Sequence, residues 1–317
     1  MSRAVLRRIV HAVPLLLVVS LAGFALVQAL PGGPLDFYLA NPNVRPQDIE
    51  RLRRSLGLDR PLWEQYVSWC AGLLRGEWGY SFADGRPVME RVLERLPATL
   101  ELVACSLVLA AAAALPAAVH AARFRGGAFD RVSRGVALAG ISLPVFWFGL
   151  VAQLLFAVGL GWLPSAGRTS LGGGDALDRL QHLVLPASVL AFVQASAWSR
   201  YLRTSMIEVL AQPFVRAARG RGVPRPVLVW RHALRNALGP LLTVVLVDAA
   251  MLVSGAVVTE SVFAWPGLGS LFTEALARRD YAVLMAFLML SGTAVVGFNL
   301  FADLCHLALD PRAAEEA

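Results

Sequence analysis

The sequence predicts an all-α membrane protein with six transmembrane helices. Of 317 residues, 57% are hydrophobic and only 16% are charged, and the mean hydropathy of +0.60 lies far above that of a soluble domain. A helix needs about 20 apolar residues to cross the hydrocarbon core. Six stretches supply them: Ile9 to Leu30, Ala98 to Val119, Val136 to Leu160, Leu183 to Leu202, Ala237 to Thr259 and Tyr281 to Leu309.

In chain order, the first span is too long, and too poor in small residues at its end, for a cleaved signal, and Leu30-Pro-Gly-Gly-Pro34 reads as a helix stop. Residues 1–30 are therefore expected to persist as an N-terminal transmembrane helix. Residues 31–97 form an extracytoplasmic loop region, where Ile49, Leu52 and Leu56 recur at helical spacing and predict an amphipathic helix. Residues 98–309 make a five-helix core with a polar cytoplasmic loop over 203–236, and residues 310–317 form a polar tail. Small residues in Ala110 to Ala114 and in Ser254-Gly-Ala256 predict close helix packing.

The arginines set the orientation, because short cytoplasmic loops carry the basic excess. Arg3, Arg7 and Arg8 precede the first span, Arg123, Arg125, Arg131 and Arg134 separate the second and third, and eight arginines lie between Arg200 and Arg235. Both termini are thus expected in the cytoplasm. The stretch Pro31 to Pro97 balances nine arginines with nine acids. The net charge of +7 is accordingly topological, spread over separate loops, and argues against a nucleic-acid partner.

Ionisable side chains inside spans are costly in lipid and face a bundle interior or a water-filled path. Asp248 lies mid-span, Asp303 lies late in the sixth span, and Glu101 and Glu260 sit near membrane boundaries. Asp248 either lines a translocation path, together with Asn299, or bonds to a neighbouring helix, for example at Asn299.

Catalytic chemistry finds little support. Cys70, Cys105 and Cys305 have no metal-like spacing, and His11, His120, His182, His232 and His306 are dispersed, so no metal site is expected. All 29 basic residues are arginine, which excludes the lysine of a phosphate-binding P-loop; ATP would have to be used by another subunit.

The most distinctive segment runs from Phe214 to Pro240. Pro213 suits the first turn of a helix, Phe214 to Arg221 can make two turns, and Gly222 with Pro224 ends them. A second helix begins near Pro226 and places Trp230, Leu234 and Leu238 on one face. On these features alone the segment is either a docking surface or a basic amphipathic stretch lying on anionic headgroups.

The run Ala217-Ala218, Gly222, and His232-Ala-Leu-Arg-Asn-Ala-Leu-Gly-Pro240 resembles the cytoplasmic EAA loop of ABC importer permeases, in the variant of the dipeptide/oligopeptide/nickel family. Arg216 stands at the motif's Glu, His232 at its Ile and Arg235 at its Pro, departures that themselves resemble the peptide-type subfamily. Leu30-Pro-Gly-Gly-Pro34, Leu56-Gly-Leu-Asp-Arg-Pro-Leu62, Gly76-Glu-Trp-Gly-Tyr-Ser81, Glu260-Ser-Val-Phe-Ala-Trp-Pro-Gly-Leu-Gly269 and Arg279-Asp280-Tyr281 are similar to segments of the B-type subunit.

The resemblance implies a type I permease fold and a transport subunit that is not an enzyme, carrying di- or oligopeptides; a nickel chelate or another small solute is the alternative cargo. It implies ATPase coupling through Phe214, Arg216, Ala217, Ala218, Arg219, Gly222, Val223, His232 and Arg235. It further implies an extracytoplasmic loop built on Glu260, Phe263, Trp265, Pro266 and Gly267, although Trp265 also reads as an interfacial aromatic. The implied partners are a second homologous permease, two cytoplasmic ATPase subunits that hold ATP and Mg, an extracytoplasmic substrate-binding protein and membrane lipid. This chain itself would bind no cofactor. The rival class is an ion-coupled secondary transporter, which would need no ATPase.

Overall fold

The computed structural model describes residues 2–29, 35, 45–55, 57–170 and 172–309. The expected helix stop at 30–34, Leu56 and the tail 310–317 lie outside them. Among the described residues the fold is helical, with one isolated antiparallel bridge, Tyr80 to Pro87. Five helices are long and apolar enough to span a membrane, and a sharply bent pair supplies a sixth candidate.

Helix α1 (Ser2–Ala29) leaves Val13, Leu17, Val18, Leu21 and Leu26 exposed, as a helix facing hydrocarbon requires. Its other side meets α13 (Tyr281–Leu309), where Gly23 faces Leu288 and Gly292 faces Leu16. Two short helices follow, α2 (Pro46–Ser55) and α3 (Leu62–Leu74); α2 matches the expected amphipathic helix around Ile49.

The centre is built by α4 (Val88–Arg123) and α7 (Ala176–Leu210), which run side by side in the same direction. Ala110, Ala114, Ala118 and Ala122 recur every four residues on α4, and all are buried against α7 residues that include Ala191, Trp198 and Leu202. With only methyl groups on this ridge the backbones approach closely, as in membrane helix pairs generally. Helix α4 extends well beyond the expected Ala98 to Val119, because its N-terminal turns pack on α13 and on the helix Leu268–Arg278 through Val88 and Val92.

The third expected span, Val136 to Leu160, is not one straight helix. Helix α5 (Ala128–Ser142) and helix α6 (Val145–Ala152), with its π-helical continuation Gln153–Gly159, meet at 106°. Pro144 explains the break: it lacks an N–H and excludes Leu143 from helical geometry, and Leu143 is extended at φ −82, ψ 133. Gly140 lets α5 touch Ser196 and Phe192 of α7.

After α7 come α8 (Pro213–Gly220), α9 (Arg225–Val227), a π-helical turn (Leu228–Ala233) and α10 (Leu234–Gly255), the last three forming one continuous helix. The fifth expected span, Ala237 to Thr259, is thus corrected at both ends. It begins earlier, and it stops at Ala256, beyond which α11 (Val257–Val262) and α12 (Leu268–Arg278) form a separate hairpin that places Thr259 in the interior.

Candidate functional site

Helix α8 is a short rigid body seated on the bundle. Val215 and Ala218 turn inward onto Leu228, with Val209, Leu210 and Val223 completing the contact. Phe214, Arg216, Ala217 and Arg219 point outward and are exposed. The corner after it needs Gly222, whose φ of +80 is left-handed and favours glycine; a Cβ there would meet nothing within 4 Å. The Val223 N–H closes the turn by donating to the Ala218 carbonyl at 3.2 Å. Of the sequence-predicted coupling residues, then, Ala218 and Val223 hold the helix in place, while the others, including His232 and Arg235, present an outer surface.

The expected face of Trp230, Leu234 and Leu238 is corrected. The π-helical turn inserts an extra residue per turn, so the buried row is Leu228, Val229, Ala233, Ala237 and Leu241. Leu234 joins it, Leu238 is half-buried and Trp230 is half exposed.

Two contacts tie this end together that the sequence reading missed. The buried Asp130 carboxylate accepts from Arg203 Nε at 2.6 Å and Nη2 at 2.9 Å, and from the Gly126 N–H at 2.8 Å, joining α5 to the last turns of α7 just ahead of α8. Its signal was available: Asp130 is the sole acid between Arg123 and Arg134. Ser205 also donates to the Ala237 carbonyl at 3.1 Å, linking α7 to α10.

At mid-membrane, Asp248 is half-buried on α10, and Trp198 Nε1 donates to its Oδ2 at 2.7 Å. Trp198 is itself buried and holds the carboxylate in a fixed orientation. Asn299, the sequence-predicted companion, is exposed on α13.

The segment Glu260 to Gly269 forms a buried knot at the other end of the bundle. Glu260 is fully buried, where it accepts from Thr99 Oγ1 at 2.7 Å and from the Ser270 N–H at 2.9 Å. Thr99 in turn accepts from the Leu268 N–H at 2.8 Å. Trp265 is also fully buried, its Nε1 donating to the Ala98 carbonyl at 2.8 Å, so the interfacial reading of this aromatic is overturned. Phe263 is buried with it, and Pro266 is half-buried. The glycines follow from close approach: Gly267 rests on the Glu260 carboxylate, and a Cβ on Gly269 would lie 2.5 Å from the Val257 Cα. Since that neighbour is backbone, Gly269→Ala is expected to lower stability by about 1–3 kcal/mol, read as a fall in the thermal midpoint of the purified chain.

Next to the knot, Asp280 gathers two segments that resemble the family separately. Its buried carboxylate accepts from the Ser81 hydroxyl, from the Phe82 N–H at 3.2 Å and from Arg91 Nη1 at 3.4 Å. Arg91 also lies 3.5 Å from Asp84 and 3.7 Å from Glu274. Partial burial pushes the Asp84 carboxyl up, but the neighbouring Ser81 hydroxyl, a hydrogen bond from the Arg86 N–H and the charges of Arg91 and Arg86 hold it below the usual range.

The chain is thus a multi-span helical bundle with a seated surface helix at one end, a polar residue in its interior and a tied loop at the other. Residues 114–315 match the family described as binding-protein-dependent transport system inner membrane component, and residues 1–103 match the description of its N-terminal membrane component. The chain belongs to this family. It is 35% identical to the dipeptide transport system permease protein DppB of Escherichia coli strain K12, over 98% of both chains. It is likewise 35% identical to the oligopeptide transport system permease protein AppB of Bacillus subtilis strain 168, over 98% of this chain and 99% of that one. With the di/tripeptide permease DppB of Pseudomonas aeruginosa strain UCBPP-PA14 it shares 37% identity over 96% and 97%. Among solved structures, an inward-facing form of the MetNI methionine ABC transporter matches with a TM-score of 0.58 at 19% identity, covering 71% of this chain and 98% of that chain, a likeness of fold. The chain is thus an ABC importer permease subunit.

Proposed function

We propose that this permease forms half of the path by which di- or oligopeptides enter a bacterium across its cytoplasmic membrane. The relatives' names support the peptide cargo. The arginine excess in the loops that carry α8 and follow the N-terminus supports a cytoplasmic side for α8 and both termini. A second, homologous permease completes the path, two ATPase subunits holding ATP and Mg grip the outer surface of α8, and an extracytoplasmic binding protein delivers the peptide. The chain does no chemistry on its cargo.

The observation that carries this reading is the seat of α8. Val215 and Ala218 press on Leu228, close to the start of the helix that runs on to Asp248, so a push on α8 is delivered directly to the interior. The Asp130 to Arg203 pair passes the same motion to α5. Closure of the ATPase pair would then rock the bundle between inward- and outward-open arrangements. Affinity purification from the native host in mild detergent tests this: recovery of a second permease and Walker-motif ATPases is expected. A chain that purifies alone and still moves peptides into proteoliposomes on an ion gradient would refute it.

Asp248 is assigned to the path surface, because a half-exposed carboxylate at this depth would not face lipid. In Asp248→Asn the amide oxygen keeps the Trp198 bond while the charge goes, and peptide uptake is expected to fall about tenfold with membrane levels unchanged. Unchanged uptake would reduce Asp248 to a helix contact.

A further inference from the structure

Where α4 ends, α5 begins and the π-helical turn opens, a groove of about 440 Å³ faces outward, its walls formed by Pro116, Val119, Phe129 and Trp230 and its rim by His120 and Arg123. Its depth in the bilayer follows from α4. Between Glu101 and Arg123 this helix carries no acid and no arginine, a stretch of roughly 33 Å at 1.5 Å per residue that matches a hydrocarbon core of about 30 Å. Arg123 therefore stands at headgroup level with the apolar walls beneath it.

The charge there has no acidic counterpart among the described residues. Among the described residues Arg123 makes no ion pair, and its guanidinium lies over the Phe124 ring at 5.0 Å. Asp130, the only acid nearby in sequence, is already taken by Arg203. His120 is held between the rings of Phe124 and Phe129, at 4.7 and 4.6 Å, beside Arg123 on the rim. Trp230 and Phe129, each about half exposed, present flat apolar surface at the level where aromatic side chains meet the interface.

We propose that this groove is a specific site for an anionic phospholipid, one acyl chain lying on Val119, Phe129 and Trp230 and the phosphate meeting Arg123, with His120 beside it. A planar guanidinium recognises two phosphate oxygens at once, and only an anionic headgroup offers them without a quaternary ammonium that the arginine charge would repel. A cation with no acidic partner among the described residues, above an apolar trough, matches a lipid in both chemistry and depth. The inference is independent of the cargo and of the ATPase partners.

Native mass spectrometry of the full chain, titrated in detergent with phosphatidylglycerol or phosphatidylcholine, tests it. One phosphatidylglycerol is expected to be retained in preference to phosphatidylcholine. Arg123→Gln should weaken that retention about tenfold, Trp230→Ala should weaken it too, and Arg125→Gln, two residues away and not on the groove, should not. All three side chains are exposed, so none of these changes removes core packing. Equal retention of both lipids, equal losses at Arg123 and Arg125, or a groove closed to lipid because another protein chain occupies it would overturn the proposal.

Discussion

Replacing Ala217 with tryptophan is expected to cut ATP-driven peptide uptake below about a tenth of the wild-type rate while leaving membrane insertion intact. Ala217 is exposed on α8, so the larger ring disturbs nothing within the chain and obstructs only what docks against that surface. Ala218→Trp gives a contrasting result, since Ala218 packs on Leu228 and the ring would unseat α8 itself. The second variant should show a lowered thermal midpoint as well as lost uptake; the first should show lost uptake alone. Wild-type uptake by the Ala217→Trp chain would remove α8 from the coupling surface.

Asp280→Ala is expected to cost about 3 kcal/mol, the low end for removing one member of a buried ion pair. The loss leaves Arg91 in a nearly closed site and takes the acceptor from the Ser81 hydroxyl, while Asp84 and Glu274 still offset part of the stranded charge. Asp280→Asn keeps an acceptor for Ser81 and should fall between the two. Thermal unfolding followed by tryptophan fluorescence in one detergent reads the series. Equal midpoints for all three chains would show that this network carries no net stability.

Most of the spans were legible because about twenty predominantly apolar residues leave few alternatives, and α8 was legible because Pro213, Gly222 and Pro224 punctuate it. What was missed is long-range. Nothing local marks Trp198 as the partner of Asp248, fifty residues on, or Arg203 as the partner of Asp130. The bend at Pro144 was visible as a proline but was masked by the unbroken apolar run on either side. Trp230 illustrates a different failure: a 3.6-residue period puts it on the buried face, and the π-helical turn moves it off. For Trp265, hydrophobicity alone could not distinguish a ring at the lipid boundary from one bonded to Ala98 in the interior.

The Glu260 knot also constrains how the chain is made. Its partners Ala98 and Thr99 leave the ribosome about 160 residues before Glu260 and Trp265 exist. During synthesis the early helices must therefore wait in the membrane with that corner unfilled, and only the arrival of α11 and α12 completes it. A chain ending before Glu260 leaves the Thr99 hydroxyl and the Ala98 carbonyl without the partners that the full chain gives them.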